Sequence, residues 1–231
     1  MPKPKSVRNS LLAAAVLLLA GLPASSQNPK LQTKNGRRFP TVVFTFVLWA
    51  ANPSYYSIAI DSTGNATYES APDSVSSTGV PYTVEFLASD STHRTVFDTV
   101  RHLDYLRRQF KTSLGFPEIT NVDTLSYYDG TIYNQITYSS SDDPGIRQMT
   151  LLFEKISETL EFGRRLGFLR QHDKSALDAE LARMQTMAKR GRLAELQAVG
   201  AVLHQIATDR SLEETVRSRA EQLANEAMAR S

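Results

Sequence analysis

The sequence changes character once, near Asp142, and this change limits the folds open to the chain. Residues 41–139 are rich in β-branched and aromatic residues and contain several turn-forming segments, a pattern typical of strands. Residues 143–231 carry apolar residues at helical spacing. We therefore predict an α+β fold: a small antiparallel sheet with one packed helix, followed by a C-terminal antiparallel helical array.

The same change predicts the domain organisation. An α+β sheet domain is expected over residues 41–142, and a C-terminal helical region over residues 143–231. Residues 27–40 are polar and show no apolar periodicity, so they are predicted to form a flexible lead-in.

The first 26 residues have the three parts of a secretory signal peptide. Lys3, Lys5 and Arg8 precede an apolar run over residues 11–22, and small residues follow up to Ser26. The run is about 12 residues long, whereas a spanning helix needs about 20. We expect cleavage near Ser26 and Gln27, giving a periplasmic or secreted protein without a stable membrane span.

Composition excludes several classes of function. The chain has no cysteine, so disulfides and a lipid attached at a cleavage-site cysteine are both impossible. The loss of Lys3, Lys5 and Arg8 with the signal peptide would leave 23 of the 26 basic residues against 24 acidic ones. A nearly neutral mature chain argues against binding to nucleic acid.

Two hairpins are predicted within the sheet domain. In the first, a three-residue loop pairs Ile60 with Ala66 and Ile58 with Tyr68, and it places Gly64 where positive φ is needed. A two-residue loop would set Ile60 against Thr67 instead. The second hairpin is indicated by Asp129-Gly130, and its core side is predicted to hold Leu125, Tyr127, Ile132, Ile136 and Tyr138.

Apolar stripes predict the helices. A stripe that includes Val96, Val100 and Leu103 predicts one helix packed on the sheet. Asp143 followed by Pro144 predicts the start of another. The stripe of this second helix contains Gly163 and Gly167, each of which lowers helix stability by about 1 kcal/mol relative to alanine. This indicates close packing of another backbone at both glycines, either within the chain or in a dimer seam.

Known catalytic and metal-binding patterns are missing from the sequence. The four histidines lack metal-ligand neighbours at the spacing of known zinc motifs. Serine-nucleophile and phosphate-loop motifs do not occur in the mature chain. The acid pairs Asp142-Asp143 and Glu213-Glu214 lie at predicted helix starts, where the helix dipole explains them. We therefore expect no metal and no cofactor, and we assign no catalytic residue.

Three tyrosines are the candidate binding residues. Tyr55, Tyr128 and Tyr133 fall on the less apolar faces of predicted strands. An amphipathic ring in that position is suited to binding a protein partner or a sugar.

The segment Tyr56–Tyr68, the segment Pro81–Phe86 with the helix after it, and the run Thr159–Leu166 together resemble a module of uncharacterised exported bacterial proteins. The resemblance extends over roughly residues 41 to 225. It implies the fold, and it implies no activity.

The leading functional hypothesis is a non-enzymatic secreted or envelope-associated binding protein, with another envelope protein or a polymer as its partner. One alternative is a hydrolase acting on cell-wall or extracellular polymer through acids that the sequence does not single out. Another is a structural homo-dimer that uses Gly163 and Gly167 as its seam.

Overall fold

The computed structural model describes residues 33–34, 37–71 and 80–229. The predicted signal peptide, residues 1–26, lies outside these residues and stays a prediction. Within the predicted lead-in, Thr33–Lys34 (β1) and Arg37–Arg38 (β2) pair as two short antiparallel strands.

A six-stranded antiparallel sheet forms the centre of the protein, in the order β6-β5-β4-β3-β8-β9. The central strand β3 is the most apolar of the six, as expected for a strand with a neighbour on either side. Its partners are β4 and β8. The six strands are Thr41–Val47 (β3), Tyr55–Asp61 (β4), Asn65–Ser70 (β5), Tyr82–Leu87 (β6), Val122–Tyr128 (β8) and Tyr133–Tyr138 (β9).

The predicted register of the first hairpin is confirmed. Ile60 lies opposite Ala66, and Ile58 lies opposite Tyr68. Gly64 has a φ of +86°, a conformation that glycine adopts without strain. The Asp61 carboxylate accepts hydrogen bonds from the Thr63 and Asn65 amides at 2.8 and 3.1 Å, so the loop amides are satisfied locally.

The second hairpin is also present, but its loop is longer than a two-residue Asp-Gly turn. Tyr128 pairs with Tyr133, which leaves residues 129–132 in the loop. The Asp129 carboxylate accepts hydrogen bonds from the Thr131 and Ile132 amides at 2.9 and 2.8 Å. These two amides therefore cannot pair with β8, and β9 begins at Tyr133.

The described part of the chain contains five α-helices, which follow or interrupt the strands. Ser89 caps the first through a bond to the Thr92 amide, and Asp143 caps the second through bonds to the Gly145 and Ile146 amides, as Asp143-Pro144 predicted. A short strand pair, Thr112–Ser113 (β7) with Ser140–Ser141 (β10), lies between these helices. The helices are Asp90–His102 (α1), Pro144–His172 (α2), Leu177–Lys189 (α3), Gly200–Thr208 (α4) and Glu214–Ala229 (α5).

One face of the sheet is buried against helices, and the predicted α+β class is confirmed. The Phe44 ring of β3 stacks on the Phe153 ring of α2 with centroids 5.1 Å apart. Val96 and Val100 of α1 belong to the same hydrophobic core, which continues through α3 to α5. The sheet is thus covered by α2 as well as by the one helix that was predicted to pack on it, and the helical array shares its core.

Gly163 and Gly167 of α2 have different surroundings within the chain. A Cβ atom at Gly163 would lie 2.5 Å from Val199 Cγ1. At Gly167 no atom of residues 33–34, 37–71 or 80–229 lies within 4 Å of the Cβ position, apart from the helix's own neighbouring backbone. Within the chain, the Val199 side chain therefore packs closely at Gly163, and no described residue does so at Gly167. The dimer seam stays a prediction.

This difference gives a matched pair of substitutions in one helix. We expect Gly163→Ala to lower the free energy of unfolding by about 1–2 kcal/mol, because overpacking against Val199 outweighs the gain in helix propensity. We expect Gly167→Ala to raise it by about 0.5–1 kcal/mol, since only the propensity gain applies. Urea denaturation of the two variants beside the parent tests both signs, and equal effects would contradict the packing difference.

Candidate functional site

The sheet has one face outside the hydrophobic core, which we call the open face. Successive residues of a strand point to opposite faces, and directly paired residues point to the same face. On β3, Val42 and Phe44 enter the core, so Thr41, Val43, Thr45 and Val47 belong to the open face. No residue of the open face is part of the core cluster among the described residues.

All three predicted binding tyrosines lie on the open face, but they do not form one site. Tyr128 is paired with both Thr41 and Tyr133, whereas Tyr55 is paired with Val47 at the other end of β3. Six residues of strand separate these ends, or about 20 Å. Tyr55 is also partly covered, and this burial raises the pKa of its hydroxyl. Tyr133, at 55% exposure, is the most accessible of the three.

Most exposed side chains of the open face lie on the two edge strands of the sheet, and those on β9 are all polar or aromatic. On these two strands they are Thr83, Glu85 and Leu87 on β6, and Tyr133, Gln135 and Thr137 on β9. We name Thr124, Tyr133, Gln135 and Thr137 the hydroxyl strip. Thr124 lies opposite Thr137, and their hydroxyl oxygens are 3.1 Å apart. The Tyr133 hydroxyl donates to Gln135 Oε1 at 2.7 Å. The strip thus offers an aromatic ring together with hydroxyl and amide groups, over about 13 Å of strand.

The charged residues of the six long strands are all acidic. The six long strands contain no lysine and no arginine. Glu69 pairs with Ser57, and Glu85 pairs with Thr67. Ser57 and Thr67 alternate with the core residues of their strands, so both glutamates lie on the open face. Binding of a polyanion depends on Lys and Arg side chains, so this face is suited to an uncharged ligand.

A buried polar cluster lies between the core face and α2. Glu161 Oε1 accepts hydrogen bonds from the Tyr68 hydroxyl at 2.7 Å and from Ser70 Oγ at 2.9 Å. Arg164 Nε donates to Glu161 Oε2 at 2.7 Å. Burial, reinforced by the Glu161 charge, raises the pKa of Tyr82 to about 12. The cluster therefore ties α2 to β5 with every Glu161 oxygen satisfied.

A second buried carboxylate connects the helical array to α1. Glu195 lies in the left-handed region with a φ of 58°, which costs energy in a residue other than glycine. Its side chain accepts hydrogen bonds from the Ser89 amide at 2.8 Å and from the Ser89 hydroxyl at 2.7 Å. The Thr92 hydroxyl donates to it as well. Glu195 thus adds a negative charge at the N-terminus of α1, where the helix dipole favours one.

The third buried acid is incompletely paired. Asp123 is 1% exposed, and its Oδ2 accepts a hydrogen bond from Asn121 Nδ2 at 2.8 Å. Its Oδ1 has no hydrogen-bond partner. Burial, opposed by the hydrogen bond from Asn121 and assisted by the nearby Glu154 charge, raises the pKa of Asp123 to about 7. Burial also raises the pKa of Glu154.

None of these three acids was identified from the sequence, because each is recognised only by its tertiary partners. Glu161 comes directly after an apolar stripe that predicts a core-facing helix. Nothing in the sequence places Tyr68 and Ser70 beside it. Glu161, Glu195 and Asp123 are all buried, so they do not offer a substrate the accessible pair of carboxylates that a glycosidase uses.

The acid pairs that the sequence does show have structural partners. Asp143 caps α2 and forms an ion pair with Arg108 at 2.9 Å, and Asp142 lies 3.2 Å from Lys111. Glu214 is the first residue of α5. These positions agree with the interpretation of the pairs as helix-start residues.

The histidines have separate roles in the described residues. His93 Nε2 lies 3.1 Å from the Ser62 carbonyl oxygen, and His102 Nδ1 lies 2.6 Å from the Asp98 carbonyl oxygen. Across residues 33–34, 37–71 and 80–229, no three His, Cys, Asp or Glu residues are grouped so as to hold a metal ion.

The fold and the open face define an α+β protein with a polar and aromatic sheet edge on β9 and a mixed edge of Thr83, Glu85 and Leu87 on β6. No protein-family model matches the chain, and no curated protein matches it in sequence. Among the described helices, none combines the length and the apolar character of a segment that crosses a bilayer.

Proposed function

We propose that the protein is an exported, non-enzymatic binding protein of the cell envelope or its surroundings, and that its hydroxyl strip binds an uncharged polysaccharide. The observation that carries the proposal is the pairing of the exposed Tyr133 ring with hydroxyl and amide groups on a sheet face free of cations.

The chemistry of the strip suits sugars for two reasons. The apolar face of a sugar ring stacks on an aromatic side chain, which also offers a polar tip. Sugar hydroxyls both donate and accept hydrogen bonds, and so do the Thr124, Thr137 and Gln135 side chains.

The test is affinity electrophoresis of the chain from Gln27 onward in gels that contain a neutral β-glucan, with polygalacturonate gels in parallel. We expect retardation only by the neutral polymer. Tyr133→Ala should weaken binding at least tenfold, equivalent to about 1.4 kcal/mol, because the stacking ring is lost. Tyr133→Phe should retain most of the affinity, since the ring remains.

Phe168→Ala is the matched control, because Phe168 is an exposed aromatic residue on α2. It should bind as the parent does. Equal retardation of the parent and Tyr133→Ala, or preferential binding to polygalacturonate, would refute the role of the strip. Because Tyr133 is exposed, its replacement should change stability by no more than about 0.5 kcal/mol, which circular dichroism during heating verifies.

A further inference from the structure

Two loops at one end of the sheet expose large apolar side chains. Residues 48–54 follow β3 and residues 114–121 precede β8. Val47 lies opposite Val122, so both loops leave the sheet at the same end. We name their exposed apolar residues the apolar tip: Trp49 at 63%, Leu114 at 65%, Phe116 at 71% and Ile119 at 82% exposure.

Backbone hydrogen bonds fix the geometry of the apolar tip. The Trp49 amide donates to the Pro117 carbonyl oxygen at 2.9 Å, which joins the two loops. The Phe116 carbonyl oxygen accepts from the Ile119 and Thr120 amides at 3.1 and 2.9 Å. The apolar side chains are therefore presented by an ordered turn rather than by an extended loop.

The two loops are almost uncharged. Glu118 is the single ionisable residue in residues 48–54 and 114–121. A contiguous exposed group of large apolar side chains such as Trp, Phe, Leu and Ile marks an interaction site. Without cations, this one offers no electrostatic attraction to an anionic partner.

The composition of the apolar tip favours a lipid surface over a protein. A protein interface surrounds its apolar centre with a polar rim and carries about ten hydrogen bonds, whereas Glu118 is the single ionisable residue of these two loops. Partial insertion into the boundary between headgroups and acyl chains needs no such rim, and Trp is enriched at that depth.

We infer that the apolar tip inserts reversibly into the surface of a lipid bilayer, with an affinity that does not depend on anionic lipid. The expected strength is that of a weak anchor, of the order of 10⁴ M⁻¹ for a single acyl chain. This surface lies at the end of the sheet opposite Tyr128 and Tyr133, so lipid and polysaccharide binding are separate properties.

The only tryptophan of the sequence is Trp49, so its fluorescence reports on the tip alone. The chain from Gln27 onward contains the compact unit Gln32–Ser231 and lacks the apolar run of residues 11–22. We expect phosphatidylcholine vesicles to shift its emission to the blue, and vesicles with brominated acyl chains to quench it. Adding phosphatidylglycerol or salt should leave the binding curve unchanged.

Phe116→Ser combined with Ile119→Ser should weaken vesicle binding about 100-fold, because two apolar side chains no longer leave water. The matched control is Leu151→Ser combined with Phe168→Ser, which removes one aliphatic and one aromatic side chain exposed on α2. It should bind as the parent does. All substituted side chains are exposed, so both double variants should remain folded, and circular dichroism checks this.

Three results would overturn the inference. The first is an unchanged Trp49 emission at every vesicle concentration. The second is equal binding by the two double variants. The third is a blue shift that develops without vesicles as protein concentration rises, together with a dimer in size-exclusion chromatography, since a second copy would then cover the tip.

Discussion

Glu161→Ala is expected to lower the free energy of unfolding by about 3–5 kcal/mol, because it breaks a buried ion pair and leaves its partners in place. The Arg164 side chain is 14% exposed, so it loses its carboxylate partner in a largely dry position. Tyr68 and Ser70 are fully buried. Ser70 loses the acceptor of its hydroxyl, and the Tyr68 hydroxyl is left with the more distant Ser157 Oγ, at 3.2 Å. An unsatisfied buried donor costs about 1–3 kcal/mol.

Graded variants separate charge from hydrogen bonding at this position. Glu161→Gln keeps an acceptor oxygen near Tyr68 and Ser70 but removes the charge, so we expect an intermediate loss. In a double-mutant cycle of Glu161→Ala with Arg164→Ala, the sum of the two single losses in unfolding free energy should exceed the loss in the double variant, since the pair interacts directly. Urea unfolding measures all four proteins, and strict additivity would show that the ion pair contributes nothing.

Asp123→Asn is expected to stabilise the protein at pH 8 and to have little effect on stability at pH 3. The pKa of Asp123 in the folded protein is about 7 instead of 3.8. Each pKa unit corresponds to about 1.4 kcal/mol, so ionised Asp123 lowers the free energy of unfolding by up to about 4 kcal/mol. Asparagine mimics the protonated side chain and avoids that cost.

The sign of the pH dependence follows from proton uptake. Between pH 3.8 and about 7 the folded protein holds the Asp123 proton, whereas the unfolded chain has released it. The folded state binds more protons, so the contribution of Asp123 to stability falls as pH rises through this interval and is constant above it.

The measurement is the difference in free energy of unfolding between parent and Asp123→Asn from pH 3 to pH 8. Subtraction removes the other titrating groups. The difference should grow between about pH 4 and pH 7 and then level off. A difference that is the same at all pH values would mean that Asp123 ionises as freely in the folded protein as in the unfolded chain. In a Glu154→Gln background the midpoint should move to lower pH, because the Glu154 charge helps to raise the Asp123 pKa.

Much of the fold could be predicted because its signals are local. The register of β4 with β5 follows from side-chain alternation and the position of Gly64, and the start of α2 follows from Asp143-Pro144. The open-face position of Tyr55, Tyr128 and Tyr133 follows from the same alternation. Each of these depends on residues close together in the sequence.

The candidate surfaces could be predicted only in part. Alternation assigns a residue to a face, but it does not say which strands are neighbours. The sequence therefore grouped Tyr55 with Tyr128, although β3 keeps them about 20 Å apart. The apolar tip was not predicted at all, since Trp49 and Phe116 lie on loops that meet only because β3 pairs with β8.

By itself, the sequence determined the succession of strands and helices along the chain and the register of the first hairpin. It also determined the absence of thiol chemistry and the lack of cations in the strands. These properties depend on residue type and short spacing. Only the tertiary structure decided which polar groups are buried together. Glu161 meets Tyr68 across 93 positions of the chain and Glu195 meets Ser89 across 106, and such contacts exist only after the sheet order and the path of α2 have fixed them in space.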